Sequence, residues 1–194
     1  SISYEEDNTD LVTTVTSTDD DGNSTATYSI NGGADAADFA INGSSGVLTF
    51  ASTPNYESPA DDGTDNVYIV IVQVSDGDNT ETQTITITVA DVNEFAPSIT
   101  SNGGASTASI SFAENNTAAV TTVTSTDGDG ASTATYTISG TDAGDFSINS
   151  SSGVLTFAST PNYESPADDG TNNEYIVIVT VTDSGGNTDT QTIT

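Results

Sequence analysis

DVNEFAP, residues Asp91–Pro97, follows a long run rich in Thr, Ile and Val, and the pattern that precedes it begins again after it. The stretch packs two carboxylates, one amide and several backbone carbonyls into a few residues, and a proline closes it. Hard divalent cations such as Ca²⁺ prefer carboxylate and carbonyl oxygens. We therefore predict that the stretch is a calcium-binding linker at the boundary between two β-domains.

The charge composition supports an external cation. Lys plus Arg is 0, His is 0, and Asp plus Glu is 29, so the formal net charge is −29. A compact chain of this charge repels itself. Because no side-chain cation exists to neutralise it, bound Ca²⁺ is the cofactor that the composition favours.

The same composition excludes several classes of function. Without Lys or Arg there is no phosphate clamp or basic patch, so nucleic acid is not an expected partner. Without His or Cys there is no His or Cys metal ligand, no Ser-His-Asp triad and no disulfide framework. Apolar runs are too short to span a bilayer, so we expect no membrane insertion of this segment.

An internal repeat accounts for the whole chain. Ser1–Glu6 recurs as Ser109–Glu114 at an offset of 108, and Phe50–Pro59 recurs as Phe157–Pro166 at an offset of 107. One residue of the first copy is therefore missing from the second, and we place the loss near Gly33–Asp38. A unit of this length is too long for a solenoid repeat and fits a β-sandwich domain.

The ends of the copies suggest an excerpt from a longer array. The second copy stops at Thr194, the counterpart of Thr86, and the first copy has no counterpart of residues 98–108. We predict one repeat over 1–97, ending in the linker, and a second over 98–194 whose C-terminal strand is truncated. An array of such units is expected to be elongated, with each unit touching its neighbours.

Each copy shows seven short stretches of strand character separated by Gly, Asn, Asp and Ser. In the first copy they are Ser1–Tyr4, Leu11–Ser17, Thr25–Asn31, Phe39–Ile41, Val47–Phe50, Tyr68–Val74 and Thr82–Ala90. Tyr68–Val74 is apolar at nearly every position, which is typical of a central strand. The predicted fold is all-β: two tandem seven-stranded Greek-key sandwiches.

The predicted core of the first copy takes the apolar residues of these strands and one tyrosine from a loop. It comprises Val12, Val15, Tyr28, Ile30, Phe39, Ile41, Leu48, Phe50, Tyr56, Tyr68, Val70, Val72, Val74, Ile85 and Ile87, with their counterparts in the second copy.

Acidic residues recur at the predicted strand ends of both copies. In a Greek-key sandwich the loops cluster at two poles. Stacking two copies would gather seven carboxylates at the junction: Glu6, Glu57, Asp91, Glu94, Asp127, Asp129 and Asp183. This charge suits two or three Ca²⁺ ions, with Asn93 and the carbonyls of Val92 and Phe95 completing the shells.

Several motifs resemble those of cadherins, and together they cover essentially the whole chain. Asp91–Pro97 resembles the cadherin linker Asp-x-Asn-Asp-Asn-x-Pro. Ser17–Gly22, followed by Tyr28–Ile30, resembles Ala-x-Asp-x-Asp followed by Tyr-Ser-Ile. Asn55–Glu57 resembles Asp-Tyr-Glu, Val74–Gly77 resembles Ala-x-Asp-x-Gly, and Glu6 and Glu114 match the first-loop glutamate. The variant around Pro54–Pro59 is similar to cadherin-like repeats of giant bacterial surface adhesins.

The resemblance implies that these residues bind Ca²⁺ between domains and that the ions stiffen an extracellular rod. It implies neighbouring repeats as partners, with cell-surface glycans or homophilic contacts as further candidates. Glu94 stands where the family has Asp, Phe95 replaces an Asn, and Asn55 and Asn162 replace an Asp. No Trp is present, so the strand-swap dimer of vertebrate cadherins is not implied.

Four other functions compete with this prediction. A halophilic surface would spread acids for solubility alone, and a calcium-dependent carbohydrate-binding module would need exposed aromatics. Paired carboxylates such as Asp61–Asp62 or Asp19–Asp21 could hydrolyse glycosides, although turn residues and metal ligands explain them better. The Thr array of Thr82–Thr88 is typical of a solvated strand face as well as of an ice-binding surface.

We predict a non-catalytic extender module of a secreted or surface-anchored adhesin, in which calcium rigidifies the array. The outer half-sites, Asp19 with Asp21 and Asp76, and Glu114 with Glu164, are expected to be empty or weakly filled.

Overall fold

The computed structural model describes residues 1–20, 25–130 and 133–194. These residues form two compact units: unit 1, Ser1–Val92, and unit 2, Asn93–Thr194. Regular structure in this part of the chain is β-strand with three short 3-10 turns, which confirms the all-β prediction. Among the same residues, none forms a helix able to cross a lipid bilayer.

Unit 1 contains the seven predicted strands. They are β1 (Ile2–Glu5), β2 (Thr13–Thr14), β3 (Thr27–Gly32), β4 (Phe39–Ile41), β5 (Val47–Phe50), β6 (Val67–Ser75) and β7 (Thr80–Ala90). The limits of β4 and β5 are those predicted. The strand predicted over Leu11–Ser17 shortens to the two residues of β2, where Thr13 and Thr14 pair with Leu48 and Val47 of β5.

Two sheets face each other across the core of unit 1. One has the order β1-β7-β6-β3 and the other β2-β5-β4. β1 runs parallel to β7, while β6 is antiparallel to both β7 and β3. The prediction that Tyr68–Val74 forms a central strand is confirmed, since β6 lies between β7 and β3; its side chains alternate, with Val70 and Val72 buried and Ile69 37% exposed. One face of this sheet is therefore open to solvent.

The core of unit 1 is aromatic near one end of the sandwich. The Phe50 ring lies 4.6 Å from Phe39 and 5.1 Å from both Tyr4 and Tyr68, measured between centroids. Sequence reasoning omitted Tyr4, which is buried, and included Tyr56, which is exposed. Tyr56 lies in a loop rather than in a strand, so the alternation of apolar residues gives no information on which way its side chain points.

Unit 2 repeats the architecture and adds one pair of short strands, β8 and β11. Its strands are β8 (Ser98–Ile99), β9 (Thr107–Ala108), β10 (Thr121–Thr122), β11 (Ser125–Thr126), β12 (Thr135–Ser139), β13 (Phe146–Ile148), β14 (Val154–Phe157), β15 (Val177–Thr182) and β16 (Thr188–Ile193). The sheets have the orders β12-β15-β16-β9 and β10-β14-β13, and β8 pairs with β11.

A β-bulge accounts for the length difference between the copies. In unit 1, Ile30 pairs with Val72 and Gly32 with Ile71, so Asn31 is the extra residue. In unit 2 the matching pairs, Ile138 with Val179 and Ser139 with Ile178, are continuous. The extra residue therefore precedes the predicted position at Gly33–Asp38, and a bulge accommodates it without changing the register beyond.

Two buried carboxylates hold the loop before β6. Asp35 accepts hydrogen bonds from the backbone N–H of Asp62 and of Ile69, both at 2.7 Å. Asp61 accepts from the N–H groups of Asp65 and Asn66. Both acids are buried, and Asp142 and Asp168 are buried in unit 2 with matching bonds. In a chain without side-chain cations, backbone N–H groups compensate these charges.

Candidate metal centre

Unit 1 brings three predicted ligands together. One carboxylate oxygen from each of Glu6, Glu57 and Asp91 lies within 4.8 Å of the other two. Glu6 directly follows β1, Asp91 directly follows β7, and Glu57 lies in the loop between β5 and β6. Because β1 and β7 are parallel neighbours, their ends place Glu6 and Asp91 side by side. We name these three residues the unit 1 carboxylate group.

Glu6 is fixed by backbone donors. Its Oε2 accepts from the N–H of Tyr56 at 2.6 Å, and its Oε1 accepts from the N–H of Val92 at 2.8 Å. The side chain is 2% exposed. Glu6 thus joins the start of the linker to the loop that carries Glu57, so its carboxylate positions the group as well as contributing charge.

Like charges within the unit 1 carboxylate group disfavour the ionised form of Glu57. Burial raises the pKa of Glu57, a hydrogen bond from its own backbone N–H opposes that effect, and repulsion from Glu6 and Asp91 raises the pKa further. A carboxyl group whose pKa rises beside like charges is stabilised in the ionised form by a cation. The arrangement is therefore chemically suited to a divalent ion.

In unit 2, a second set of predicted ligands lies around the linker residues Glu94 and Phe95, which belong to this unit. Asp129 Oδ2 accepts from the N–H of Phe95 at 3.1 Å, and its Oδ1 accepts from the N–H of Glu94 at 3.4 Å. Asp127 Oδ1 accepts from the N–H of Asp129 at 3.2 Å. Asp129 is buried and follows β11, so this aspartate holds the linker to the segment after β11.

The side-chain amide of Asn187 lies among three oxygens. Its Nδ2 is 2.8 Å from Asn93 Oδ1, 3.0 Å from Asp183 Oδ2 and 3.2 Å from the Phe95 carbonyl oxygen. An amide nitrogen carries only two hydrogens. Three oxygens converging on one point form the type of donor set that Ca²⁺ takes. We name Asn93, Phe95, Asp127, Asp129 and Asp183 the unit 2 oxygen group.

Asp183 is kept ionised within this group. Burial by itself would raise its pKa, but hydrogen bonds from the side chain and backbone of Asn187 and from the backbone of Gly186 and Gly185 lower the pKa below its ordinary value. The turn between β15 and β16 thereby presents a carboxylate that does not need to lose a proton before binding a cation.

Two glycines make room for the linker. A Cβ on Gly185 would lie 2.3 Å from Asn93 Oδ1, and a Cβ on Gly128 would lie 2.5 Å from Cγ of Phe95. The positive φ of this turn, +73°, is at Gly130. The Phe95 ring lies against Gly128, so this side chain matters beyond its carbonyl.

Substituting Gly185 with Ala should displace Asn93 from its position beside Asn187. We expect the free energy of unfolding of unit 2 to fall by about 1–3 kcal/mol, as for overpacking elsewhere. Urea unfolding followed by NMR would measure this, with the side-chain amide signals of Asn93 and Asn187 as local reporters. Gly144→Ala is the matched control, because a Cβ there meets nothing within 4 Å; equal losses in both variants would contradict the prediction.

Comparison of the sequence with models of protein families identifies the family of this chain. The family model of the cadherin domain matches residues 1–90 and again residues 108–194. The chain belongs to the cadherin family. Both units are therefore cadherin domains in tandem. A comparison with curated proteins found no match.

Solved cadherin structures share the fold. Mouse cadherin-23 EC22-24 is 25% identical with a TM-score of 0.68, over 100% of this chain and 61% of that one. Drosophila N-cadherin EC1-4 is 22% identical with a TM-score of 0.72, over 98% and 46%. Human protocadherin-24 EC1-2 is 21% identical with a TM-score of 0.70, over 100% and 92%. The chain spans about three fifths of the cadherin-23 structure's length.

The residues predicted to form half-sites differ in burial from Glu6 of the unit 1 carboxylate group. Glu114 is exposed, whereas its counterpart Glu6 is buried, although it accepts from the N–H of Tyr163 in the same way. Glu164 and Asp19 are exposed. Asp76 accepts from the N–H groups of Asp78 and Asn79 in the turn between β6 and β7. Asp21 lies outside the described residues.

Sequence reasoning missed Asn187 and Gly185 in this cadherin repeat. Asn187 lies four residues after Asp183, in a turn that is one residue longer than the corresponding turn after Asp76. The extra residue is visible in the sequence, because a change in turn length beside a predicted ligand indicates that the turn contributes to the site.

Proposed function

We propose that this chain is a calcium-binding extender module of an extracellular adhesin, in which Ca²⁺ bound between the two cadherin domains stiffens the tandem array. The proposal rests on the unit 1 carboxylate group, whose three oxygens lie within 4.8 Å of one another. The ligands proposed are those predicted: Glu6, Glu57, Asp91, Val92, Asn93, Glu94, Phe95, Asp127, Asp129 and Asp183. Two or three ions would neutralise them.

Chain continuity supports sharing of the ions. Asp91 belongs to the unit 1 carboxylate group and Phe95 to the unit 2 oxygen group. Four residue steps separate them, so the backbone between them spans at most about 14 Å. Ions bound by one group therefore lie within reach of ligands carried by the same short linker. For this reason we propose that both groups bind the same ions in one interdomain site.

The donor chemistry supports calcium over transition metals. Every proposed ligand atom is an oxygen from a carboxylate, an amide or a backbone carbonyl. Such sets suit Ca²⁺, with 6–8 oxygens, better than metals that prefer nitrogen or sulfur. The specific convergence of Glu6, Glu57 and Asp91 also favours a site over a halophilic surface.

The mechanism is mechanical and involves no catalytic step. Without calcium, the clustered carboxylates repel one another and the linker is free to bend. With calcium, the ions neutralise the groups and restrict the linker, so the array resists bending and proteolysis. Repeats of the same chain are the proposed immediate partners; the boundary after Pro97 and the extracellular location form part of the same proposal.

Calcium titration by calorimetry tests this function. Glu57→Gln on unit 1 and Asp127→Asn on unit 2 should each weaken Ca²⁺ binding about tenfold, since each removes one charge from the set of ligands. Asn at position 127 retains an oxygen that can accept from Asp129. If both residues bind the same ions, the double variant should lose less than the sum of the single losses in binding free energy.

Glu5→Gln is the matched control for this titration. Glu5 is the last residue of β1, directly before Glu6, and it is exposed. Its substitution with Gln changes the net charge by the same amount as each of the other two substitutions. The control should bind Ca²⁺ as the unchanged protein does. Absence of saturable binding, or equal losses in all three single variants, would instead favour a general surface-charge effect.

A further inference from the structure

The side chain of Asn187 connects the turn between β15 and β16 to the linker of unit 2. Its Nδ2 lies 2.8 Å from Asn93 Oδ1 and 3.2 Å from the Phe95 carbonyl oxygen, both of which belong to the linker. It also lies 3.0 Å from Asp183 Oδ2, in its own turn. One side-chain amide therefore faces three oxygens from two separate segments.

The backbone of Asn187 is held by the same aspartate. Its N–H donates to Asp183 Oδ1 at 2.8 Å, and the Asp183 N–H donates to the Asn187 carbonyl oxygen at 3.1 Å. Both carboxylate oxygens of Asp183 thus lie against Asn187. Because the backbone is held at its N–H and at its carbonyl, the side-chain amide reaches the linker from a fixed position.

The amide compensates the three oxygens only in part. Its nitrogen carries two hydrogens and no net charge, whereas a divalent ion at the same point would bring two full positive charges. The chain has no Lys, Arg or His, so no side-chain cation is available for this position. A side-chain amide, with two N–H donors on one nitrogen, is the richest donor that such a composition offers.

We propose that the side-chain amide of Asn187 is an internal stand-in for a cation in the unit 2 oxygen group. Without a bound ion, its N–H groups hold Asn93 and Phe95 against the turn. An ion can enter only after the amide withdraws, because the nitrogen already occupies the point on which the three oxygens converge. Asn187 therefore sets the affinity of the site. This inference rests on the proposed function, since it concerns the ions that this function requires.

Withdrawal of the amide is compatible with the position of Asn187. The residue is half-buried and lies in a turn, so its side chain can rotate toward solvent without repacking the core. Its contacts with the linker favour the ion-free state alone. Removing them raises the free energy of that state and leaves the ion-bound state unchanged, so binding becomes tighter. The contact with Asp183 is charge-assisted, and loss of one such hydrogen bond changes an equilibrium constant about tenfold or more.

Hydrogen exchange in EDTA tests whether the amide holds the linker. Exchange of the Phe95 backbone N–H, followed by NMR, should be about tenfold faster in Asn187→Ala than in the unchanged protein. It should be faster still in Asn187→Asp, because Asp replaces the donor with a further oxygen. Circular dichroism would establish that both variants are folded. Exchange as slow in both variants as in the unchanged protein would overturn the proposal.

Calcium titration by calorimetry tests whether the amide competes with the ion. Asn187→Ala should bind Ca²⁺ about tenfold more tightly, whereas loss of a ligand weakens binding. Weaker binding would show that Asn187 contributes a ligand oxygen, and unchanged binding would show that it does not compete; either result would overturn the proposal.

Asn79→Ala is the matched control for both measurements. Asn79 forms the same pair of backbone hydrogen bonds with Asp76 in the turn between β6 and β7, is exposed, and belongs to neither ligand group. This variant should match the unchanged protein in exchange and in binding. Absence of saturable binding in the unchanged protein would refute the proposed function, and the exchange rates in EDTA would still show whether Asn187 holds the linker.

Discussion

In EDTA, an endoprotease that cleaves after glutamate should cut the bond after Glu94 about tenfold faster than in calcium. The N–H groups of Glu94 and Phe95 are held by Asp129, and Glu6 holds the N–H of Val92. Under the proposed function, chelation of Ca²⁺ leaves the carboxylates of both ligand groups unneutralised, and their repulsion favours opening of the linker. Cleavage depends on the open population, which calcium binding reduces by mass action.

The exposed Glu174 provides a reference bond in the same digest. Cleavage after Glu174 should change little on chelation, because this residue belongs to neither ligand group. Trypsin is of no use here, since the chain contains no Lys or Arg. Mass spectrometry of timed samples gives both rates. A linker cut equally fast with and without calcium would show that the ions do not restrain residues 91–109.

Replacement of Asp35 by Ala should lower the free energy of unfolding of unit 1 by about 3 kcal/mol or more. Asp35 is buried, and both of its carboxylate oxygens accept from backbone N–H groups at 2.7 Å. Ala removes two charge-assisted hydrogen bonds and leaves the donors of Asp62 and Ile69 without this acceptor. The loss detaches the loop that carries Glu57 from β6.

Urea unfolding in EDTA, followed by NMR signals of the buried Val70 and Val177, would separate the two units. Asp35→Ala should shift only the transition of Val70, and Asp142→Ala should shift only that of Val177. Asp62→Ala is the control, because Asp62 is an adjacent, exposed acid. A shift no larger than that of the control would mean that the buried carboxylate contributes little to stability.

Much of the fold could be predicted because β-strand pattern is local. The alternation of Thr with Ile or Val marked β7, and Gly and Asn between Ile41 and Val47 marked a hairpin, so the limits of β4 and β5 were correct. The short β2 was overestimated, since the apolar and Thr residues of Leu11–Ser17 do not reveal how many of them find a partner strand.

The candidate ligands could also be predicted, whereas their supports could not. Carboxylates at strand ends are visible in the sequence, and repetition distinguished them from surface acids. Asp35 and Asp61 lie in loops with no periodicity, so nothing local indicates that they turn inward to accept backbone hydrogen bonds. For Asn187 the longer turn is visible in the sequence, but its partners are not, because Asn93 and Phe95 are more than ninety residues away.

The sequence alone determined the cadherin-type repeat, the all-oxygen chemistry of DVNEFAP and the net charge of −29, because composition and period are properties of the chain itself. Tertiary structure decided which acids are buried, as for Asp35, and which oxygens converge on one point, as around Asn187. These features depend on pairing between segments far apart in the chain, and no local pattern encodes that pairing.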